Sequence, residues 1–187
     1  LCMNVVALTL IIHMLLICYG IHPNPGPGTT SDYCDLSICH ANIMSLKQKD
    51  IFGNLSKMLH IKCKLVGVFD IITLSETWLS PGDKSSDFTL QGYQGPIRRD
   101  RIDGPLGYGG VLAWVSTSVA CKRRNDLELP HIEAMWLEIR SVNNKFYLCI
   151  VYRKPSKTNF WDDFQTNIDL VNEIQGAKIL ITGDLNS

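Results

Sequence analysis

Five polar side chains stand at or just past the ends of apolar runs, and their types suit one kind of chemistry. Asn42 follows a short run from Leu36 to Ala41, Glu76 follows Asp70 to Ser75, Tyr152 closes Lys145 to Tyr152, and Asp184 and Asn186 follow Lys178 to Thr182. In each case a buried run would hand a carboxylate, an amide or a phenol to an exposed edge, where ligand sites gather in layered α/β proteins. Carboxylates with amides suit a hard cation: magnesium takes oxygen ligands, keeps several waters and is held by one or two carboxylates together with substrate phosphate, with manganese an alternative. Phosphodiester hydrolysis needs such a cation to neutralise developing charge, and an acceptor for a proton from water. Asp184 and Glu76 can divide these roles.

The elements that must position these groups read as alternating strands and helices. A short strand covers Leu36 to Ala41, and Ser45 with Gln48 has capping-box spacing ahead of Ile51, Leu55, Met58 and Leu59 at helical intervals. Asp70 to Ser75 is the next strand. Residues 109–115, 132–139 and 145–152 are rich in β-branched and aromatic side chains and follow one another without helices, which predicts an antiparallel meander. A helix is expected after Pro155, with Phe160, Phe164, Ile168 and Val171 on one face and Gly176 as its stop. The last strand, Lys178 to Thr182, presents Asp184 and Asn186. Residues 61–69 are apolar without a period and take no assignment.

Composition bounds the rest. The 187 residues suffice for one domain with a sizeable core, and 45% hydrophobic with 19% charged residues is ordinary for a globular protein. Lys plus Arg equals Asp plus Glu at 18 each, so a globally basic nucleic-acid binder is not supported and phosphate affinity must come from local clusters. The seven cysteines are irregularly spaced without a C-x-x-C pair and read as reduced, mostly buried thiols of an intracellular protein. Residues 1–27 form an apolar leader ending in His22-Pro-Asn-Pro-Gly-Pro27, and residues 28–35 read as a linker. The leader is marginal against the roughly 20 apolar residues that a transmembrane helix needs. Membrane or secretory targeting through it stays open.

Five segments in order resemble the endonuclease/exonuclease/phosphatase superfamily, in particular the apurinic-endonuclease-like domain of non-LTR (LINE-type) retrotransposons. They are His40-Ala-Asn-Ile-Met-Ser-Leu46, Asp70-Ile-Ile-Thr-Leu-Ser-Glu-Thr-Trp-Leu79, Gly109-Gly-Val111, Val151-Tyr-Arg-Lys-Pro155 and Thr182-Gly-Asp-Leu-Asn186. Singly each is weak, since Gly, Asp and Asn are ordinary turn residues; their joint order carries the resemblance. It implies an α/β (α+β) fold over residues 36–187, a layered α/β/β/α sandwich of two mostly antiparallel sheets. It further implies Glu76 and Asn42 at the metal, Tyr152 on the scissile phosphate, Asp184 orienting or deprotonating the attacking water, and Asn186 on the phosphate or on Asp184. Arg98, Arg99, Arg101 and Arg153 would contact DNA, while Lys122, Arg123 and Arg124 read as solvated loop charge.

The resemblance also implies an activity: magnesium-dependent nicking of target DNA, in the nucleus, to prime a reverse transcriptase domain downstream in the same polyprotein. In the family the domain continues past the GDxN strand to a further aspartate and a catalytic Asp-His pair. The sequence ends at Ser187, so it is expected to be a C-terminally incomplete domain, weakly active or inactive alone. A non-catalytic remnant of a truncated element, or a superfamily phosphatase acting on a phospholipid or inositol phosphate, are the alternatives. Asn24-Pro-Gly-Pro27 resembles the end of ribosome-skipping peptides, although Gly20 and His22 replace the two acidic residues of that motif.

Overall fold

The computed structural model describes residues 36–48, 51–57, 69–101, 108–140, 145–155 and 158–186. Eight strands form two four-stranded sheets among the described residues. The first has the order β1-β2-β4-β3, with β1 Ile38–Asn42, β2 Ile71–Ser75, β3 Tyr93–Arg99 and β4 Val111–Ser116. In the second, β5 Ala120–Arg123, β6 Glu133–Arg140, β7 Lys145–Tyr152 and β8 Ile179–Asp184 follow in chain order. One ladder in each sheet is parallel, β1 with β2 and β7 with β8, and the others are antiparallel. The leader, the linker and most of the unassigned stretch before β2 lie outside the described residues.

Alternation along the strands explains the layering, because successive side chains leave a strand on opposite faces. Ile71, Val111, Ala113 and Val115 of the first sheet meet Met135, Leu137, Ile139, Leu148 and Ile150 of the second, forming the core between the sheets. The opposite face of the first sheet, with Ile72, Leu74, Leu112 and Trp114, packs on Leu55 and Phe52 of the helical residues 51–57. The opposite face of the second, with Trp136, Tyr147, Cys149 and Val151, packs on Phe160, Phe164 and Val171 of the helix α1, Phe160–Asn172. The order of layers is therefore helix, sheet, sheet, helix. Trp114 and Trp136 are fully buried, as their positions inside apolar runs imply.

Four local expectations change. The predicted meander is divided: residues 111–116 join the first sheet between β2 and β3, and the hairpin partners of β6 are β5 and β7. The sequence gives little sign of β3, because Gly95-Pro96 reads as a turn; a register shift between Gln94 and Ile97 absorbs the pair inside an edge strand, where proline is tolerated. The Lys122–Arg124 cluster is not plain loop charge. Arg123 pairs with Glu128 at 2.8 Å, and Arg124, just past β5, with Asp126 at 2.6 Å and Glu138 at 2.9 Å.

Ser45 does not cap a helix. Met44 and Ser45 take left-handed backbone (φ 49° and 97°), Gln48 Nε2 donates to Met44 O at 2.9 Å, and Ser45 Oγ accepts from Lys47 N at 3.2 Å. Among the described residues Cys39 and Cys149 are buried and Cys121 is partly buried. No helix of the described residues is long and apolar enough to cross a membrane.

Candidate active site

The same alternation gathers the polar residues at one end of the space between the sheets. In β1, Asn42 and His40 share the face of Ile38; in β2, Thr73 and Ser75 share that of Ile71. In β8, Asp184 lies on the face of Leu180, and it pairs in register with Tyr152 of β7. Four strand ends, two from each sheet, thus converge: β1, β2, β7 and β8.

The amide of Asn42 joins them. Asn42 Nδ2 donates to Glu76 Oε1 at 3.0 Å and to Asp184 Oδ2 at 2.6 Å, across 142 residues of sequence in the second case. Its Oδ1 accepts from Met44 N at 3.3 Å. Two carboxylates facing each other would repel, and a shared amide donor between them lowers that repulsion. Asp184 Oδ1 also accepts from Asn186 N at 3.0 Å, and Asn186 Nδ2 donates to Arg153 O. The loop after β8 is therefore latched to the segment that follows β7.

Glu76 owes its position to a tightly wound turn. Glu76 and Trp78 both have positive φ, 53° and 55°. The turn is held on the chain entering β4 by Thr77 N to Gly110 O at 3.3 Å and Trp78 N to Gly109 O at 2.8 Å. A Cβ at Gly110 would come 2.7 Å from Thr77 Oγ1, so glycine is required for this approach. Trp78 Nε1 donates to Glu76 Oε2 at 3.3 Å, which leaves both carboxylate oxygens of Glu76 accepting hydrogen bonds.

Tyr152 is buried with its hydroxyl on Glu76. Burial, then the negative charge of Glu76 and the hydrogen bond to it, push the phenol up to about 12. It stays a neutral donor at neutral pH. Arg101 lies over its ring at 5.4 Å and is ion-paired to Glu133, whose second oxygen accepts from Gly110 N at 2.8 Å. Beneath the site His40 is buried, with Nδ1 against Thr73 Oγ1 at 2.9 Å and Nε2 against Ser75 Oγ at 3.4 Å. Burial brings its pKa down to about 4, with Asp184 opposing. It is neutral at neutral pH.

The structure thus brings Asn42, Glu76, Tyr152, Asp184 and Asn186 together, while the arginines differ in their surroundings. Arg98 donates to Ser80 O and Asp83 O and pairs with Asp100 at 3.3 Å; Arg99 donates to Leu129 O and Ala134 O and pairs with Glu128 at 3.3 Å. Arg101 is almost wholly buried, and Arg153 donates to Leu185 O and Asn186 O. All four are engaged within the protein, a state that the resemblance, which implies DNA contacts for them, does not suggest. Sequence reading also passed over Trp78, Glu133 and His40. Only the glycine pair before β4 hinted at the close approach that Trp78 and Glu133 support.

Among the described residues no group of three His, Cys, Asp or Glu side chains forms a metal cage. Two carboxylates instead face one point, with the Nδ2 of Asn42 between them as a hydrogen-bond donor, so the oxygens offered to a cation are those of Glu76 and Asp184, and a magnesium ion held by one or two carboxylates would complete its shell with water and phosphate oxygens.

The sequence model of the Endonuclease/Exonuclease/phosphatase family matches residues 48–187. Among solved structures, the chain is similar to the endonuclease domain of TRAS1, a telomere-specific non-LTR retrotransposon, at 16% identity and a TM-score of 0.53, covering 80% of this chain and 58% of that one. It is similar to the mannosyl-6-phosphatase of Bacteroides thetaiotaomicron at 14% identity and a TM-score of 0.59, covering 81% and 65%. The AP endonuclease of Leishmania major is 16% identical with a TM-score of 0.54, covering 96% and 66%. The chain thus spans between half and two thirds of the length of these structures. No curated protein matches it.

Proposed function

The chain belongs to the endonuclease/exonuclease/phosphatase family, and from that membership we propose that it is a magnesium-dependent endonuclease domain that hydrolyses a phosphodiester of DNA. The observation that carries this reading is the single amide of Asn42 bonded to both Glu76 and Asp184, which puts two carboxylates of different sheets at one point.

Glu76 would hold the cation, with the Asn42 amide beside it. When bound, the metal neutralises charge developing on the phosphate. Asp184 accepts the proton of the attacking water, its other oxygen kept in place by Asn186 N. Tyr152, held neutral, carries one O–H on the side of β7, which would leave Glu76 to hydrogen-bond a phosphate oxygen. The product nick would carry the 3′-hydroxyl on which a reverse transcriptase domain of the same polyprotein primes.

Plasmid nicking by the chain, and by one extended to the length of the similar structures, tests the reading. With magnesium, supercoiled DNA is expected to convert to open circles, and Glu76→Gln to lower the rate by about 100-fold. Nicking unchanged by Glu76→Gln removes the metal assignment. Release of phosphate from an inositol phosphate or a sugar phosphate, without nicking, replaces DNA by a phosphomonoester as the substrate.

A further inference from the structure

Leu185 and Asn186 lie past the last ladder pair of β8, Asp184 with Tyr152, so sheet pairing does not fix them. Arg153 does, through both its backbone and its side chain. Its N donates to Asp184 O at 2.8 Å, its carbonyl accepts from Asn186 Nδ2 at 2.5 Å, and its Nη1 donates to Leu185 O at 3.2 Å and to Asn186 O. Asn186 takes left-handed backbone (φ 41°), and its N is the donor to Asp184 Oδ1. A drift of Asn186 would therefore turn the Asp184 carboxylate.

The guanidinium of Arg153 is itself held by rings. Its Cζ lies 5.9 Å from the centroid of Phe160 and 5.4 Å from that of Trp161, two rings that meet edge to face at 82° at the start of α1. Unlike Arg98, Arg99 and Arg101, Arg153 makes no ion pair among the described residues, and its Nε is buried without a hydrogen-bond partner among them. A planar cation can lay its face on aromatic rings while its edge donates to carbonyls. Phe160 belongs to the core, whereas Trp161 is 51% exposed, so little of the fold depends on the indole.

We propose that Arg153 is a positioning residue for Asp184 and that Trp161 holds Arg153 in place, so that the start of α1 sets the direction of the proton acceptor. The role of Asp184 rests on the nuclease reading; the clamp of Arg153 on its loop does not. This gives Arg153 a task other than the DNA contact that the resemblance implies. A DNA contact acts on substrate affinity, whereas a clamp acts on the turnover of bound substrate.

The experiment joins two measurements on Arg153→Met, Trp161→Leu and Trp161→Phe. One is amide hydrogen exchange of the chain by NMR without metal; the other is plasmid nicking in magnesium by the chain extended to the length of the similar structures, with kcat and KM separated. Arg153→Met is expected to speed exchange at Asn186 N by about tenfold and to lower kcat by about tenfold, with KM changed by less than about twofold. Trp161→Leu is expected to change both by about threefold at an unchanged melting temperature, and Trp161→Phe, which keeps a ring, to recover both to within about twofold. Should Arg153→Met fail to fold, the two Trp161 variants carry the test. Exchange at Asn186 that matches wild type in Trp161→Leu overturns the clamp. A raised KM with kcat unchanged makes Arg153 and Trp161 DNA contacts and overturns the positioning role. Faster exchange in variants of a protein that does not nick DNA leaves the clamp standing and removes the nuclease reading; wild-type nicking with kcat unchanged in the variants does the reverse.

Discussion

Trp78 donates its indole N–H to Glu76 Oε2 at 3.3 Å from two residues along the chain, and both residues take left-handed backbone to do so. A non-glycine residue at positive φ is uncommon, and two in one turn persist only when the surroundings over-determine them. Here the surroundings are the two glycine carbonyls before β4 and the Asn42 amide on the other carboxylate oxygen. The indole ring also meets Tyr108 edge to face at 4.7 Å.

Trp78→Phe keeps that ring contact and removes only the donor. The expected result is an unchanged melting temperature with the magnesium concentration for half-maximal nicking raised by roughly tenfold, the usual scale for loss of a partner that orients a metal ligand. Melting followed by circular dichroism, and a magnesium titration of the nicking rate, separate the two quantities.

Gly183 lets β8 run close beside β7. Its φ is +143°, and a Cβ there would lie 1.8 Å from Val151 O, inside the parallel ladder that sets Asp184 opposite Tyr152. Gly183→Ala must part the two strands. Urea unfolding is expected to show a loss of about 3 kcal/mol, with nicking lost in the same variant.

Asn167 tests the far side of the second sheet. Its side chain is fully buried in α1, accepting from Trp136 Nε1 at 2.8 Å and donating to Leu127 O. Asn167→Leu fills similar space but leaves the indole N–H and the carbonyl without partners. Unfolding free energy should fall by about 2–4 kcal/mol, and nicking at a temperature well below melting should not change.

Glu138 gives the fold an acid limit. It is buried in β6; burial would raise its carboxyl, but hydrogen bonds from Arg140 and Arg124 and the nearby Lys145 outweigh this and bring it from 4.5 down to about 2. A carboxyl whose folded pKa is depressed contributes stability in full above its unfolded value and loses it as pH falls toward the folded one. Stability should therefore decline between about pH 4.5 and pH 2, and Glu138→Gln should flatten that part of the curve while lowering stability at pH 7. Urea midpoints measured across this range read both effects.

How much was legible depended on how local each signal was. The strands that became β1, β2, β6, β7 and β8 announce themselves as apolar runs, and α1 by Phe160, Phe164 and Val171 at helical spacing, because burial on one face imposes a period that survives in sequence. Strand β3 and strand β5 do not, since one contains Gly95-Pro96 and the other is half charged. Sheet membership was likewise hidden: nothing in residues 111–116 says that they pair with β2 and β3, because pairing is a contact between distant segments.

By itself the sequence determined which side chains could do chemistry, since Asn42, Glu76, Tyr152, Asp184 and Asn186 each follow or close a run that burial forces into a strand, and a strand end is exposed. Only the tertiary structure decided what those side chains face. Parity along β1 and β8 turns Asn42 and Asp184 toward each other between the sheets, the turn at Glu76 aims its carboxylate at the same amide, and Arg98, Arg99 and Arg101 turn inward to pair with Asp100, Glu128 and Glu133. The physical reason is range: a strand's period is written in neighbouring residues, whereas the charge that a group feels is set by whatever the fold brings within a few ångströms of it.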